Sequence, residues 1–285
     1  MRAFLSDAVA TAASAVKIIL QSRKARRALP ADPGRSIAIL GNGPSLRQTI
    51  DSYPTWLSSV SRMAVNFAST SSDFRILRPD YYIMIDPVFF PAPGAAPTLA
   101  DDAWEAIRHA DWKMTLFVPS SRLDDARRLL GDSSTVGLRP VNITPVEGWR
   151  WFTHRAFDAG LGMPRPRNVL IAAVMAAIGE GFGKIYLAGA DHSWTRTLAV
   201  DSDNNVCNTV AHFYEEKRVE QETTRIVEAY RGIHLHNVLE SLMIAFRSYF
   251  HIKAYAAARG VEIINITPGS FIDAFPHSAP PAAKG

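Results

Sequence analysis

The chain predicts an α/β fold in which helices cover both faces of a mostly parallel sheet. Short apolar runs alternate with segments of helical periodicity. The runs are compact and continuous, as strands buried on both faces are. Several of them stop at small or amide-bearing residues, the arrangement found at the ligand-binding edge of open sheets.

Read in order, the first segment, Val9 to Leu29, mixes Ala, Val, Ile and Leu and ends in basic residues. It predicts a basic amphipathic helix, which either packs on the body or lies on an anionic membrane surface. It lacks the small-residue cleavage pattern of a secretory signal, and the apolar runs read as too short to span a bilayer. Strands are expected at Ser36–Leu40, Met63–Phe67, Tyr81–Ile85, Met114–Val118, Lys184–Ala188 and Val261–Ile266. Helices are expected at Asp101–Ala110, Ser121–Leu130, Asn168–Gly179 and Asn237–Arg259. In the last helix Leu239, Leu242, Met243, Phe246, Tyr249 and Phe250 form a core stripe, and Gly260 ends it. Pro91 to Thr98 reads as a surface loop. Residues 192–232 are polar and charged and follow a core strand, which suggests a lid. The tail from His277 reads as disordered. The organisation is therefore a basic N-terminal segment (1–35), one nucleotide-binding-type domain (36–276) carrying the lid, and a tail (277–285).

The 285 residues, 47% hydrophobic and 20% charged, suit an ordinary globular protein with a full core. The formal net charge is +4, but residues 1–35 carry +5 and the rest sums to −1. A basic terminus on a neutral body argues against nucleic-acid binding. The single cysteine, Cys207, excludes an internal disulfide and suggests a cytoplasmic setting. No cysteine–histidine cluster has zinc spacing, so no metal site is expected from spacing.

The run Ser36–Leu40 enters the turn Gly41-Asn42-Gly43-Pro44-Ser45. The glycines are expected to allow positive φ and close approach of a ligand. The third glycine of the dinucleotide fingerprint would fall at Leu46, which disfavours a dinucleotide. Other strands end at Asn66, followed by Ser69, Thr70, Ser71 and Ser72; at Asp86; at Gly189-Ala190-Asp191-His192; and at Asn265, Thr267 and Ser270. Five polar strand ends on one rim predict a pocket there. Asn168 stands where it caps the following helix, whose N-terminus favours phosphate, with Arg165 and Arg167 beside it. His192, His212, His234 and His236 are the histidines at or near the insert.

Gly41-Asn42-Gly43-Pro44-Ser45, Val65-Asn66-Phe67, Asp86-Pro87-Val88-Phe89-Phe90 and Lys184 to Asp191 resemble the bacterial sialyltransferases of glycosyltransferase family 42. They also resemble a wider superfamily of polysaccharide-synthesis proteins that shares a domain with hydroxymethylpterin pyrophosphokinase-like proteins. The similarity runs from about Ser36 to Phe275, and the glycine turn carries most of its specificity.

The resemblance implies a Rossmann-like, GT-A-like domain with a lid. It implies that Asn42, Gly43, Ser45 and Asn66 hold the cytidine monophosphate (CMP) part of a nucleotide-sugar donor. Gly41, Pro44, Asp86, Arg167, Asn168 and Asp191 complete the expected nucleotide site. The family's Asn-Pro after the third strand is Asp86-Pro87 here, and its Arg-x-Thr-Ser-Gly is replaced by Arg165-Pro166-Arg167-Asn168-Val169. The family's catalytic histidine lies in or at the end of the lid. His212, followed by Phe213 and Tyr214, has the best context, with His236 as rival and His192 as a further candidate. Tyr214 and Trp194 are the aromatic candidates near the donor phosphate.

The activity so implied is inverting transfer of a sialic-acid-like sugar from a CMP-sugar to a surface glycan or glycolipid such as lipopolysaccharide. His212 would be the general base. The glycine-turn N–H groups, the Asn168 helix end and Tyr214 would stabilise the leaving phosphate. No cofactor is required, although Asp86 and Asp191 are compatible with Mg²⁺ or Mn²⁺. The alternatives are a Mg-dependent pyrophosphokinase acting on a pterin-like alcohol and a non-catalytic nucleotide-binding protein of polysaccharide assembly. Peripheral membrane contact through residues 1–29, on the inner face of the cytoplasmic membrane, is expected of the basic segment, and homo-oligomerisation is left open.

Overall fold

The computed structural model describes residues 2–23, 26–208 and 232–281. Its centre is a seven-stranded, wholly parallel sheet. The strands are β1 (Asp32–Leu40), β2 (Ser61–Val65), β3 (Tyr81–Ile83), β4 (Met114–Pro119), β5 (Val136–Val141), β6 (Phe182–Ala188) and β9 (Glu262–Asn265). A separate two-stranded hairpin joins β7 (Ala199–Val200) to β8 (Val206–Cys207). The helices are α1 (Arg2–Gln21), α2 (Leu46–Ser52), α3 (Pro54–Ser59), α4 (Asp73–Leu77), α5 (Leu99–Arg108), α6 (Leu123–Leu130), α7 (Arg150–Asp158), α8 (Val169–Gly179) and α9 (Leu235–Ala258).

The sheet order is β5-β4-β3-β2-β1-β6-β9. The chain therefore builds outward from β1, then returns to β1's other edge as β6. The direction of winding reverses between β1 and β6, where an open parallel sheet leaves a crevice beyond its strand ends. Leu40 pairs with Ala188 at that point.

Side-chain alternation fixes the two faces. Ile37 and Ile39 of β1, with Ile185 and Leu187 of β6, bury against α8 and α9. Ala38, Leu40, Tyr186 and Ala188 face α2 and α3 in a second core. A third core packs α5 and α6 on β3 and β4. Helix α8, Val-Leu-Ile-Ala-Ala-Val-Met-Ala-Ala-Ile-Gly, is apolar on every side and is the most buried helix, as that composition requires.

The predicted α/β, Rossmann-like class is what the chain adopts, and six of the sheet strands lie where expected. The differences have local causes. β5 contains Gly137 and Pro140, which disguise it as a turn; as an edge strand it tolerates the proline. The second strand stops at Val65 rather than Phe67, because Asn66 takes φ 49° and turns the chain into a 3-10 helix (Asn66–Thr70). α2, α3, α4 and α7 are too short or too mixed to show a period. Of the tail expected to be disordered from His277, the described part instead meets the end of β9: Asn265 bridges His277, and Ser278 N donates to Asn265 O; residues 282–285 lie outside the described residues.

The N-terminal helix also differs from expectation. It begins at Arg2 and ends at Gln21, ahead of the basic run. Beyond it Arg23 N donates to Asn142 Oδ1, which fixes the chain off the helix axis. The 18 residues Phe4–Gln21 are long and apolar enough to cross a membrane by length and composition, contrary to the expectation that no run was.

Candidate functional site

At the carboxyl ends of the strands, where the winding reverses, lies a cleft of ≈ 570 Å³. That volume suits a nucleotide-sized ligand. The β1 turn contributes Asn42, Gly43 and Pro44; the end of β2 contributes Asn66 and Phe67; the β3 end contributes Asp86. The start of α8 adds Arg167 and Asn168, and the β6 end adds Asp191, His192, Trp194 and Arg196. Four of the five predicted strand ends thus meet. The fifth does not line the cleft. Thr267 Oγ1 accepts from Ala190 N, Ser270 Oγ donates to Ala190 O, and Asn265 Nδ2 donates to Ile272 O. Thr267 and Ser270 thus hold the loop after β6, and Asn265 ties down its own segment. Ser69, on the β2 side, is likewise internal, bonded to Tyr82 and Ala103.

The glycine turn has a different rationale from the predicted one. Neither Gly41 nor Gly43 has positive φ. What excludes a side chain is the protein's own packing. A Cβ on Gly41 would stand 2.5 Å from Gly189 O. One on Gly43 would overlap the Asp191 carboxylate and stand 2.7 Å from Gly189 O. The N–H groups of both glycines are also taken: Gly41 N donates to Ala188 O and Gly43 N to Gly189 O. Asp191 Oδ2 accepts from Ser45 Oγ at 2.7 Å, and the Ser45 backbone N–H also bonds the carboxylate. The chain's own carboxylate therefore fills the place expected for a phosphate on this turn. Burial raises the Asp191 pKa, and the Ser45 hydrogen bonds oppose that shift.

The helix end is similarly occupied. Asn168 caps α8 as predicted, its Oδ1 accepting from Leu170 N at 3.0 Å and Ile171 N at 3.3 Å. The same oxygen accepts from Tyr249 Oη at 3.0 Å, and Tyr249 Oη lies 2.8 Å from His192 Nε2. Because the amide oxygen only accepts, the phenol donates to it and His192 Nε2 donates to the phenol. His192 is buried, packs tilted against the Trp194 ring at 4.2 Å and holds φ 51°. Burial pushes its pKa down to about 3. This neutral relay locks the Asn168 amide with its nitrogen as the remaining polar atom.

Among the described residues, Asn42 Oδ1, Asn66 Oδ1 and Asn168 Nδ2 are buried and without a hydrogen-bond partner. Asn42 is oriented by its own Nδ2, which donates to Val65 O at 3.2 Å. Two acceptors and one donor thus stand in the walls of one cleft. A buried unpaired polar atom costs about 1–3 kcal/mol, so such a group is characteristic of a binding surface. Arg167 and Arg196 are cationic beside it, Arg196 stacking over Phe271 at 4.7 Å. Arg165 is engaged elsewhere, donating to Glu147 Oε2 at 2.6 Å. Asp86 is exposed, its Oδ1 accepting from Val88 N. Among the described residues no group of three or more His, Cys, Asp or Glu is placed to hold a metal ion.

His236 does not line this cleft. It faces His234 in a stacked pair at 5.9 Å and lines a second groove with Val200, Asn204 and Val206 of the hairpin. His212 and Tyr214 lie outside the described residues. Of the expected lid, the described part is a 3-10 turn (Trp194–Arg196) and the β7–β8 hairpin. Sequence reasoning missed Arg196 and Tyr249 as parts of the site. Tyr249 read as core because it sits in an apolar helical stripe, and its hydroxyl gave no separate signal.

No family model and no curated protein sequence matches the chain. Among solved structures it is similar to the MAf glycosyltransferase from Magnetospirillum magneticum AMB-1. The TM-score is 0.50 with 14% identity, over 96% of this chain and 38% of that one. At that identity the likeness concerns the fold alone, and the chain spans a little over a third of that protein's length.

Proposed function

We propose that the chain is a glycosyltransferase whose donor, a CMP-linked sugar of the sialic-acid type, binds in the β1/β6 cleft. The observation that carries this reading is the trio of unpartnered amide atoms of Asn42, Asn66 and Asn168 at the winding reversal. Two acceptors and one donor suit the hydroxyl and amino groups of a nucleoside. Arg167 and Arg196 supply positive charge for the phosphate. This assignment moves the phosphate away from the glycine turn, where the Gly41, Gly43 and Ser45 donors serve Ala188, Gly189 and Asp191. The glycosyltransferase-like fold supports the reading.

In the reaction an acceptor hydroxyl attacks the anomeric carbon, the bond to the phosphate oxygen breaks, and CMP leaves with inversion. The proton of the hydroxyl passes to a base. His212, from residues 209–231, is our choice. His192 is poorly suited: it is buried, neutral and committed to Tyr249. His236 remains the alternative base. The acceptor would be a surface glycan or glycolipid.

A thermal-shift panel of CMP, UMP, GMP, AMP and ATP, each with and without Mg²⁺, tests the donor assignment. CMP is expected to stabilise the protein most, without need of the metal. Stabilisation by ATP–Mg²⁺ alone would transfer the assignment to a pyrophosphokinase. CMP binding with no turnover of any CMP-sugar would leave a nucleotide-binding protein.

A further inference from the structure

We infer that the outward face of α1 docks on an anionic membrane surface, laying the helix in the lipid headgroup region while the body stays outside. A helix on the surface of a globular protein normally turns its apolar stripe inward. α1 keeps most of its large apolar side chains outward: Ile18 packs on the core, and beside it the inward face is small and polar. Ser14 Oγ donates to Glu147 O at 3.0 Å and accepts from Glu147 N at 2.9 Å. Thr11 Oγ1 accepts from Trp149 N at 3.0 Å, and Gly148 is pressed against Thr11 so closely that a Cβ would stand 2.6 Å from its backbone nitrogen. The outward face carries Leu5, Val9, Val16, Ile19 and Leu20, the last two 79% and 77% exposed. Only 6% of the Phe4–Gln21 window is buried.

The surroundings say what covers this stripe. At the amino end Phe4 meets Trp149 at 5.4 Å, Trp149 stacks on Trp151, and Trp151 is 58% exposed with Arg155 over its ring. Arg150 begins α7 beside it. At the carboxyl end follow Arg23, Arg26 and Arg27, of which Arg26 is loosely paired with Glu180 at 3.9 Å. Asp7, the acid of α1, falls on the side of the helix opposite Val9. An apolar stripe with amphipathic aromatic rings and basic residues at both ends matches lipid tails bordered by anionic headgroups.

A second copy of the chain fits less well. Parallel or antiparallel, two such helices would set basic ends against basic ends. Spanning the bilayer is within the helix's length and composition, but it would break the Ser14, Thr11 and Ser22 bonds that fasten its polar face to the body. Lying in the interface satisfies both faces at once. The inference does not depend on the reaction proposed.

Vesicle flotation of the full chain tests it. Vesicles containing phosphatidylglycerol are expected to carry the protein, phosphatidylcholine vesicles much less, and high salt should reduce the difference. Ile19→Glu with Leu20→Glu should lower binding by at least about tenfold with an unchanged melting temperature, since both side chains already meet water. Arg23→Glu with Arg27→Glu should weaken binding to the anionic vesicles and leave the weak neutral binding alone. Absence of wild-type binding to either vesicle overturns the inference. So does a dimer in solution that Ile19→Glu with Leu20→Glu converts to monomer without any vesicle binding, which would make the face a contact between copies.

Discussion

Asn168 performs two tasks with two atoms, and substitution can separate them. Asn168→Ala removes the oxygen that caps Leu170 N and Ile171 N, a loss worth about 0.5–2 kcal/mol. It also leaves the Tyr249 hydroxyl, fully buried, without its acceptor, at about 1–3 kcal/mol. The two sum to about 1.5–5 kcal/mol, and because one oxygen serves both the middle of that range, about 2–4 kcal/mol, is expected. At a few degrees per kcal/mol for a chain of this size, the melting temperature should fall by about 5–10 °C. Asn168→Asp keeps the oxygen and places a carboxylate at a helix N-terminus, which is worth about 0.3–1 kcal/mol in its favour. That variant should melt near the wild type. It nevertheless loses the unpartnered Nδ2 and brings negative charge toward an anionic ligand. Calorimetric titration with CMP should then show binding weakened by about tenfold or more. Wild-type affinity in Asn168→Asp would refute the assignment of Nδ2 as a ligand donor. A large loss of stability in that variant would refute the account of the cap.

Further outcomes follow from the same geometry. His192 is held down to about 3, so the unfolded chain binds its proton first, and the stability this residue contributes is present above about pH 6.5 and lost as pH falls below it. In His192→Asn, whose side chain tolerates the left-handed backbone at that position, the acid slope of denaturant stability should shrink by up to one proton. Asp191 works the other way: its raised pKa favours the folded state at low pH, and that contribution disappears as pH climbs through the raised value, so Asp191→Asn should flatten this part of the curve. Gly43→Ala should cost about 1–3 kcal/mol by pushing its Cβ into Asp191 and Gly189, and should lower CMP affinity with it; a variant as stable as wild type would show that the close approach is dispensable. His212→Ala should cut transfer by about 10²–10⁴-fold with CMP affinity nearly kept, and a dead His236→Ala beside an active His212→Ala would move the base to His236.

Six of the seven strands were legible because each carries a short apolar run bounded by small or polar residues, and the polar ends of four of them located the cleft. What escaped is what depends on pairing across the fold. Nothing local says that the Asp191 carboxylate fills the glycine turn, so the turn read as a phosphate cradle. Nothing local distinguishes Tyr249 from its apolar neighbours in α9, although its hydroxyl orients Asn168. β5 was hidden by Gly137 and Pro140, residues that signal a turn in isolation and are tolerated at a sheet edge. The first helix was read by its charges. Its outward apolar stripe emerges only when Ser14 and Thr11 are seen bonded to residues 147 and 149, more than a hundred positions away.

The most direct test of the donor site is a crystal structure of the protein with CMP bound. The account predicts the nucleotide in the β1/β6 cleft, with the free amide atoms of Asn42, Asn66 and Asn168 within hydrogen-bond distance and its phosphate toward Arg167 or Arg196. A nucleotide seated instead in the groove of His236 and the hairpin, or a phosphate that displaces Asp191 from the glycine turn, would contradict it.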